Sequence, residues 1–185
     1  MKKFISLLCL LCSLALAGQV MAYSVSLTPN SQTINLGDQA SVDVNLLLNQ
    51  GEELFGFNFA LAFDPSVLRF DSLLFNNAPL SGYVTGFTAP SAQDPNLVTF
   101  DGALFELAGA TGSFSPLASL YFTGIGLGTS PLTLNGTVLD FNATSEVPLA
   151  ADGNINVVPE PGTFLLLGSG LLGLFCFRRF ACSTN

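Results

Sequence analysis

Apolar residues alternate with polar or small residues along most of this chain, and this period of two constrains its fold more than any other feature. In LFGFNFALAF (residues 54–63), Phe57, Phe59, Leu61 and Phe63 fall on one side of an extended strand. QASVDVNLLL (residues 39–48) shows the same pattern. Nine shorter runs are of the same kind: 25–27, 33–36, 68–74, 83–88, 97–104, 118–125, 132–134, 138–141 and 155–157. Many short strands predict an all-β fold, an antiparallel sandwich.

Turn signals separate these runs. Asn135-Gly136 and Asp152-Gly153 have the composition of tight hairpin turns. Residues 64–68 are predicted as one helical turn, because Asp64 can cap it and Pro65 suits its first position. Residues 152–156 also begin like a calcium loop, with oxygen-bearing side chains at every second position. They lack the glycine such a loop needs at its sixth position, so a hairpin is preferred and no metal site is predicted.

The amino terminus has the three parts of a secretory signal peptide. Lys2 and Lys3 are followed by an apolar stretch over residues 4–16 and then by small residues. We predict a signal peptide over residues 1–22, with cleavage after Ala22. Cleavage after Ala17 is the alternative.

The carboxyl terminus holds a second apolar run, residues 163–177, followed by Arg178 and Arg179. As a helix, 15 residues span about 22 Å, against roughly 30 Å of bilayer hydrocarbon. We predict a single transmembrane helix over this run that acts as a weak, temporary anchor. Basic residues flank both apolar ends and stay on the cytoplasmic side, so the chain between them is predicted to be exported.

The end of the chain resembles a known sorting signal. Val158, Pro159, Glu160 and Pro161, the apolar run, and the Arg178-Arg179 pair together are similar to the PEP-CTERM signal of Gram-negative bacteria. The resemblance assigns residues 158–185 to this signal. It implies an exosortase, a membrane-embedded enzyme, as a partner that removes the helix. The protein would be anchored in the inner membrane before processing, and would then reach the outer surface or the extracellular matrix.

The exported part, residues 23–158, is acidic and poor in reactive side chains. It has 136 residues, the size of one domain, predicted over 23–157. Its 12 acidic residues and one basic residue, Arg69, give a formal charge of −11. Such a surface disfavours nucleic acid as a partner. The absence of Cys, His and Lys excludes a catalytic triad, a thiol nucleophile and Schiff-base chemistry. No cofactor is predicted.

The same domain contains a distinctive segment, FNFALAFDPSVLRF (residues 57–70), in which two alternating runs flank Asp64-Pro65. This segment resembles part of cohesin domains, and residues 120–124 and 152–157 match later strands of that family in order and character. The resemblance implies a jelly-roll sandwich of about nine strands, a fold shared with several carbohydrate-binding modules. Cohesins bind dockerin domains through one face of a sheet, commonly in polysaccharide-degrading assemblies. Because that surface has no linear motif, no binding residue is carried over.

The leading hypothesis is a non-catalytic binding module for an extracellular polysaccharide or a dockerin-like protein. Tyr83 and Tyr121 are weak candidates for a sugar-binding face, against the ordinary role of half-buried strand tyrosines. No catalytic residue is predicted. The alternative is a polysaccharide-processing enzyme that uses two carboxylates. Its candidates lie beside turns and are Glu52, Glu53, Glu106 and Glu146. An ion pair between Arg69 and Asp71 is also predicted.

Overall fold

The computed structural model describes residues 23–49, 51–76, 80–104, 109, 111–140, 146–160, 162, 168–170 and 172. These residues form ten strands. In chain order they are β1 (Ser24–Thr28), β2 (Ser31–Asn35), β3 (Gln39–Leu47), β4 (Leu54–Ala62), β5 (Leu68–Phe75), β6 (Tyr83–Thr88), β7 (Leu97–Leu104), β8 (Ser113–Gly124), β9 (Gly128–Asp140) and β10 (Glu146–Val158).

The strands form two sheets, which confirms the predicted all-β sandwich. The four-stranded sheet has the order β1-β3-β8-β5, and the six-stranded sheet has the order β2-β10-β9-β4-β7-β6. Two details differ from the prediction: there are ten strands rather than about nine, and β2 pairs with β10 in parallel. The reason is that the first extended segment breaks at Pro29. Its first half, β1, pairs antiparallel with β3 in one sheet, while its second half joins the other sheet beside the last strand.

The core lies between the sheets and is built from the predicted faces. Phe57, Phe59, Leu61 and Phe63 are all buried. From the opposite sheet, Val42, Val44 and Leu46 are buried with them. Rings from the two sheets meet directly, since the centroid of Phe57 in β4 lies 6.4 Å from that of Phe75 in β5. Removing this apolar surface from water is the main stabilising term of the domain, which contains no cysteine to cross-link it.

The predicted hairpin turns at Asn135-Gly136 and Asp152-Gly153 are wrong, because both pairs lie inside long strands. β9 and β10 each run for 13 residues through these positions. Gly136 is required for close packing: a Cβ atom there would lie 2.2 Å from the carbonyl oxygen of Asn58 on the neighbouring strand β4. A Cβ atom at Gly153 would lie 3.0 Å from the carbonyl oxygen of Asn30. These glycines therefore mark points where backbones come close together.

The helical turn that starts at Asp64 is confirmed. The backbone nitrogen of Leu68 donates to the carbonyl oxygen of Asp64 at 2.9 Å, and the nitrogen of Ser66 donates to the Asp64 carboxylate at 2.8 Å. The turn packs against the loop between β8 and β9, where the nitrogen of Ile125 donates to the carbonyl oxygen of Val67 at 2.8 Å. These two connections therefore lie at the same end of the sandwich.

Both predicted membrane-related segments fall largely outside this description. The predicted signal peptide, residues 1–22, lies outside the described residues, as does most of the apolar run 163–177. Within the described part of the chain, no helix has the length and apolar character needed to cross a membrane.

Candidate binding face and sorting segment

The outward positions of the six-stranded sheet form a flat, mostly polar surface. Because side chains alternate along each strand, the residues between the buried ones on β4, β7 and β9 point away from the core. The register aligns them in rows across the three strands. Thr137, Asn58 and Asp101 form one row, and the rows on either side are Asn135, Ala60 and Thr99, and Leu139, Gly56 and Ala103. In the two flanking rows the central residues, Ala60 and Gly56, have little or no side chain that would obstruct a flat partner.

A shallow depression lies in this surface. Its volume is about 250 Å³, and Asn58, Asp101, Thr137, Leu139 and Glu146 are among its lining residues. Gly56 and Ala103 lie beside them and keep the depression open. The lining therefore combines amide, hydroxyl and carboxylate groups with the half-buried side chain of Leu139.

The polar side chains of this face are free to bind a partner. Asn58, Asp101, Asn135, Thr137 and Glu146 make no side-chain hydrogen bond or ion pair with another described residue. All but the half-buried Thr137 are exposed. A partner would displace only the water bound to these side chains. The hydrogen bonds that it makes would therefore not compete with hydrogen bonds inside the domain.

The outer face of the four-stranded sheet differs, since many of its polar groups bind each other. The hydroxyl of Ser119 donates to Asp43 at 2.5 Å, and that of Ser115 donates to Asn45 at 2.7 Å. Asp71 accepts hydrogen bonds from Thr123 at 2.6 Å and from Arg69 at 3.0 Å. The predicted Arg69–Asp71 ion pair is thereby confirmed. Several of this face's polar groups are therefore already engaged.

Charge also distinguishes the two faces. Asp101, Glu146 and Asp152 take outward positions on the six-stranded sheet. The single basic residue of the 23–158 segment, Arg69, lies on β5 of the other sheet, whose outer face also carries Asp43 and Asp71 and so has a smaller net negative charge. The face is therefore acidic and complements a partner that presents basic or hydrogen-bond-donating groups.

The two candidate tyrosines lie on different sheets. Tyr83 is in β6, where its ring packs against the core and its hydroxyl donates to the carbonyl oxygen of Leu54. Tyr121 is in β8 of the four-stranded sheet, between Ser41 and Ser72 of the neighbouring strands. The structure does not combine them in one surface. Their role in ligand binding stays a prediction.

The carboxylates proposed for catalysis have separate environments. Glu52 is buried and accepts a hydrogen bond from the nitrogen of Asn49 at 2.7 Å. Glu53 accepts one from the nitrogen of Gly109 at 3.2 Å, so both carboxylates hold loop backbone. Glu146 lies on the outer face of the six-stranded sheet, and Glu106 lies outside the described residues.

A buried polar contact that the sequence did not reveal joins the start of β1 to the end of β9. The hydroxyl of Tyr23 donates to the carboxylate of Asp140, and both residues are buried. Burial, this hydrogen bond, and the negative charges of Asp140 and Glu52 raise the pKa of the Tyr23 hydroxyl well above its usual range. The contact holds the hydroxyl in its neutral, donating form.

No metal centre is formed by the described residues, where no three Asp, Glu or Cys side chains cluster closely enough to hold an ion. Residues 152–156 lie in extended β10, which spreads their side chains along the sheet instead of wrapping them round an ion. Asn154 accepts a hydrogen bond from Ser31 at 3.0 Å, and Asn156 accepts one from Thr129 at 3.0 Å.

The proposed sorting segment begins inside the last strand. Val157 is buried, and the carbonyl oxygen of Val158 accepts a hydrogen bond from the nitrogen of Leu36 at 2.9 Å. Pro159 and Glu160 follow directly and are exposed. Pro161, Arg178 and Arg179 lie outside the described residues. Strand β10 therefore ends immediately before Pro159.

Comparison with known proteins bears on both parts of the chain. A family model described as the PEP-CTERM protein-sorting motif matches residues 157–179. No curated protein matched the chain. Among solved structures, the cohesin module of a family 33 glycoside hydrolase from Clostridium perfringens superposes with a TM-score of 0.59 at 11% identity, covering 76% of this chain and 100% of that one. A non-cellulosomal cohesin from the archaeon Archaeoglobus fulgidus gives 0.58 at 15% identity, covering 77% and 95%.

A third similar structure includes a partner. The sixth cohesin of scaffoldin B from Acetivibrio cellulolyticus, solved in complex with a dockerin, gives a TM-score of 0.57 at 16% identity, covering 74% of this chain and 99% of that one. At these identities the similarity shows the fold. The domain is a β-sandwich with the fold of cohesin domains, and the chain that carries it ends in a PEP-CTERM sorting motif.

Proposed function

We propose that this protein is a non-catalytic, exported binding module that holds a protein partner on the outer face of its six-stranded sheet. The observation that carries this proposal is that Asn58, Asp101 and Thr137 adjoin one another on this face without partners inside the described chain. The cohesin that was solved with a dockerin bound supports a protein partner for this fold.

The chemistry of the face indicates the kind of partner. Its flat centre suits the side of a helix or a strand, and its carboxylates suit lysine, arginine or amide donors. An extracellular polysaccharide is the second candidate partner. It is disfavoured because the chain contains no tryptophan for sugar stacking and because Tyr83 and Tyr121 lie on different sheets.

The sorting part of the proposal concerns residues 1–22 and 158–185. The signal peptide directs export, the run 163–177 holds the chain in the inner membrane, and an exosortase-type enzyme then cuts near Pro159–Glu160–Pro161. The module, residues 23–157, reaches the outer surface or the extracellular matrix. The motif match supports this sequence of events, as does the exposure of Pro159 and Glu160 just outside the last strand.

Peptide mass spectrometry tests the processing step. After signal cleavage, trypsin can cut the chain only after Arg69, Arg178 and Arg179. In the native host we expect a peptide that starts at Phe70 and ends near Pro159 without a basic residue, with or without added mass from transfer to an acceptor. In a host without the processing enzyme, the peptide should end at Arg178. Intact Phe70–Arg178 peptide as the main species in the native host would show that the run is a permanent anchor.

A pair of arginine substitutions tests the binding face. Asn58→Arg places a large cation at the centre of the face, whereas Ser41→Arg makes a comparable change at an exposed position of the four-stranded sheet. The amount of wild-type protein retained on the native host's extracellular matrix is measured first. Asn58→Arg should lower this retention about tenfold, the size typical of a central interface residue. Equal retention of both variants, with both folded, would refute the assignment of the face.

One observation keeps the enzymatic alternative open to test. Asp101 and Glu146 line the same depression, and two carboxylates are sufficient for glycoside hydrolysis. We expect no release of reducing sugar from a panel of bacterial and plant polysaccharides. Release that disappears in Asp101→Asn or Glu146→Gln would replace the binding proposal with a hydrolase.

A further inference from the structure

The end of the sandwich from which β10 leaves carries exposed apolar side chains. Leu36, Ile125 and Leu127 are 41%, 47% and 57% exposed. They lie in two loops, 36–38 and 125–127, on either side of the strand ends. We call these loops, together with Val158, the exit end. Water contact with three large apolar side chains at one end is unfavourable unless another apolar phase covers them.

Backbone hydrogen bonds hold the two loops side by side. The nitrogen of Gly37 donates to the carbonyl oxygen of Gly124 at 2.8 Å, and the nitrogen of Leu36 donates to the carbonyl oxygen of Val158 at 2.9 Å. Val157 also lies opposite Gly128 in the sheet register. The apolar side chains are therefore grouped where the chain departs towards the sorting segment.

An apolar groove extends this surface. It has a volume of about 290 Å³, and its lining includes Phe63, Pro65, Phe70, Pro90, Pro95 and Ile125. Arg69, the single basic residue of the 23–158 segment, also lines it and is well exposed. The exit end is thus apolar at its centre, with a cation beside it.

The length of the connection determines where this end must be. Four residues, 159–162, separate β10 from the apolar run that starts at Thr163. Fully extended, the chain from Val158 to Thr163 spans about 18 Å. The run itself is short for a bilayer, and a short span is accommodated by thinning the bilayer or drawing flanking residues inwards. While the run is inserted, the exit end therefore stays at the membrane surface.

We propose that the exit end docks on the lipid bilayer, with Leu36, Ile125 and Leu127 inserted among the acyl chains next to the headgroups. This inference rests on the membrane-held stage of the proposed function. Three carboxylates lie at or beside this end, those of Asp38, Asp64 and Glu160, and the charge of Arg69 is offset by Asp71. The end is therefore net negative, so a surface of zwitterionic lipid fits it better than an anionic one.

Docking would orient the module for processing. With the exit end in the interface, Pro159 and Glu160 lie at the depth where a membrane-embedded enzyme works. The sheets stand away from the membrane, so the face that contains Asn58 stays open to solvent and a partner could bind before processing.

Single tryptophans can test this orientation, because the natural chain contains none. The unprocessed full chain is reconstituted in phosphatidylcholine bilayers in which brominated lipids quench tryptophan fluorescence. Leu127→Trp and, as a second variant, Ile125→Trp report on the exit end. Leu47→Trp is the matched control, since Leu47 is 51% exposed at the opposite end of β3. Phe175→Trp reports on the apolar run.

We expect bromolipid to remove most of the emission of Leu127→Trp, Ile125→Trp and Phe175→Trp, and to leave that of Leu47→Trp unchanged. If Phe175→Trp is quenched but both loop variants keep full emission, the run is inserted and the exit end does not contact lipid. This result would overturn the docking inference and leave the membrane anchor supported. Equal quenching of Leu47→Trp would also overturn it, because contact would then not be specific to the exit end. If Phe175→Trp is unquenched, the membrane-held stage itself fails, and docking fails with it.

Discussion

Alanine at Gly136 should destabilise the domain strongly, although the change adds one methyl group. The added Cβ atom would lie 2.2 Å from the carbonyl oxygen of Asn58 and 2.4 Å from Cδ1 of the fully buried Phe59. An ordinary contact requires about 3.4 Å, so β4 and β9 must move apart by about 1 Å. Overpacking of a core costs about 1–3 kcal/mol, and we expect the upper end because the obstacle is backbone. For a domain of this size, 3 kcal/mol lowers Tm by roughly 12 °C.

Gly86→Ala is the matched control for this substitution. Gly86 lies in edge strand β6, and the nearest atom to an added Cβ, Oδ1 of Asp101, is 3.9 Å away. This change should therefore be neutral, or stabilise by up to about 1 kcal/mol because alanine restricts the unfolded chain. Thermal unfolding followed by far-ultraviolet circular dichroism measures both variants. A loss of less than about 1 kcal/mol for Gly136→Ala, below the usual cost of overpacking, would show that β9 does not pass Phe59 in the observed register.

Two predictions concern ionisable groups. Tyr23→Phe removes the donor to buried Asp140 and should lower the free energy of unfolding in urea by about 1–3 kcal/mol. Because folding raises the Tyr23 pKa, the stability that this hydroxyl contributes should be complete below about pH 10 and lost as the pH rises further. An unchanged alkaline limb of the stability curve in Tyr23→Phe would contradict this. Partial burial acts to raise the pKa of Asp71, but hydrogen bonds from Thr123 and Arg69 outweigh it and lower the pKa. Its contribution should therefore be present above about pH 4 and lost as the pH falls below, so Asp71→Asn should flatten the acid limb of the stability curve.

Much of the fold could be predicted because the core faces are encoded locally. The alternation in β3 and β4 identifies their buried sides, and the Asp64-Pro65 pair identifies the turn between β4 and β5. The long strands β9 and β10 were missed because their internal glycines have the composition of turns. Whether such a glycine turns the chain or admits a neighbouring backbone depends on pairing between distant segments, as between Gly136 and Phe59.

The sorting segment could be predicted from the sequence, whereas the proposed binding face could not. Pro159-Glu160-Pro161 and the apolar run are contiguous, so the sequence alone was enough to recognise them. Asn58, Asp101 and Thr137 come from three strands and become neighbours only when the sheet forms. The alternation in residues 54–63 and 97–104 indicated the outward positions of Asn58 and Asp101, but Thr137 follows a predicted turn and lay outside the predicted strands. Which strands adjoin was not visible in the sequence. The parallel pairing of β2 with β10 was hidden for the same reason.

Photo-crosslinking in the native host tests the central claim, that a partner binds the outer face of the six-stranded sheet. A photoreactive amino acid is placed at Asn58, and in a matched chain at Ser41 on the other sheet; both sites are exposed. After illumination, the position 58 protein should form a discrete adduct with an extracellular protein, and the position 41 protein should not. An adduct from position 41 alone, or the same adduct in equal yield from both positions, would contradict the account.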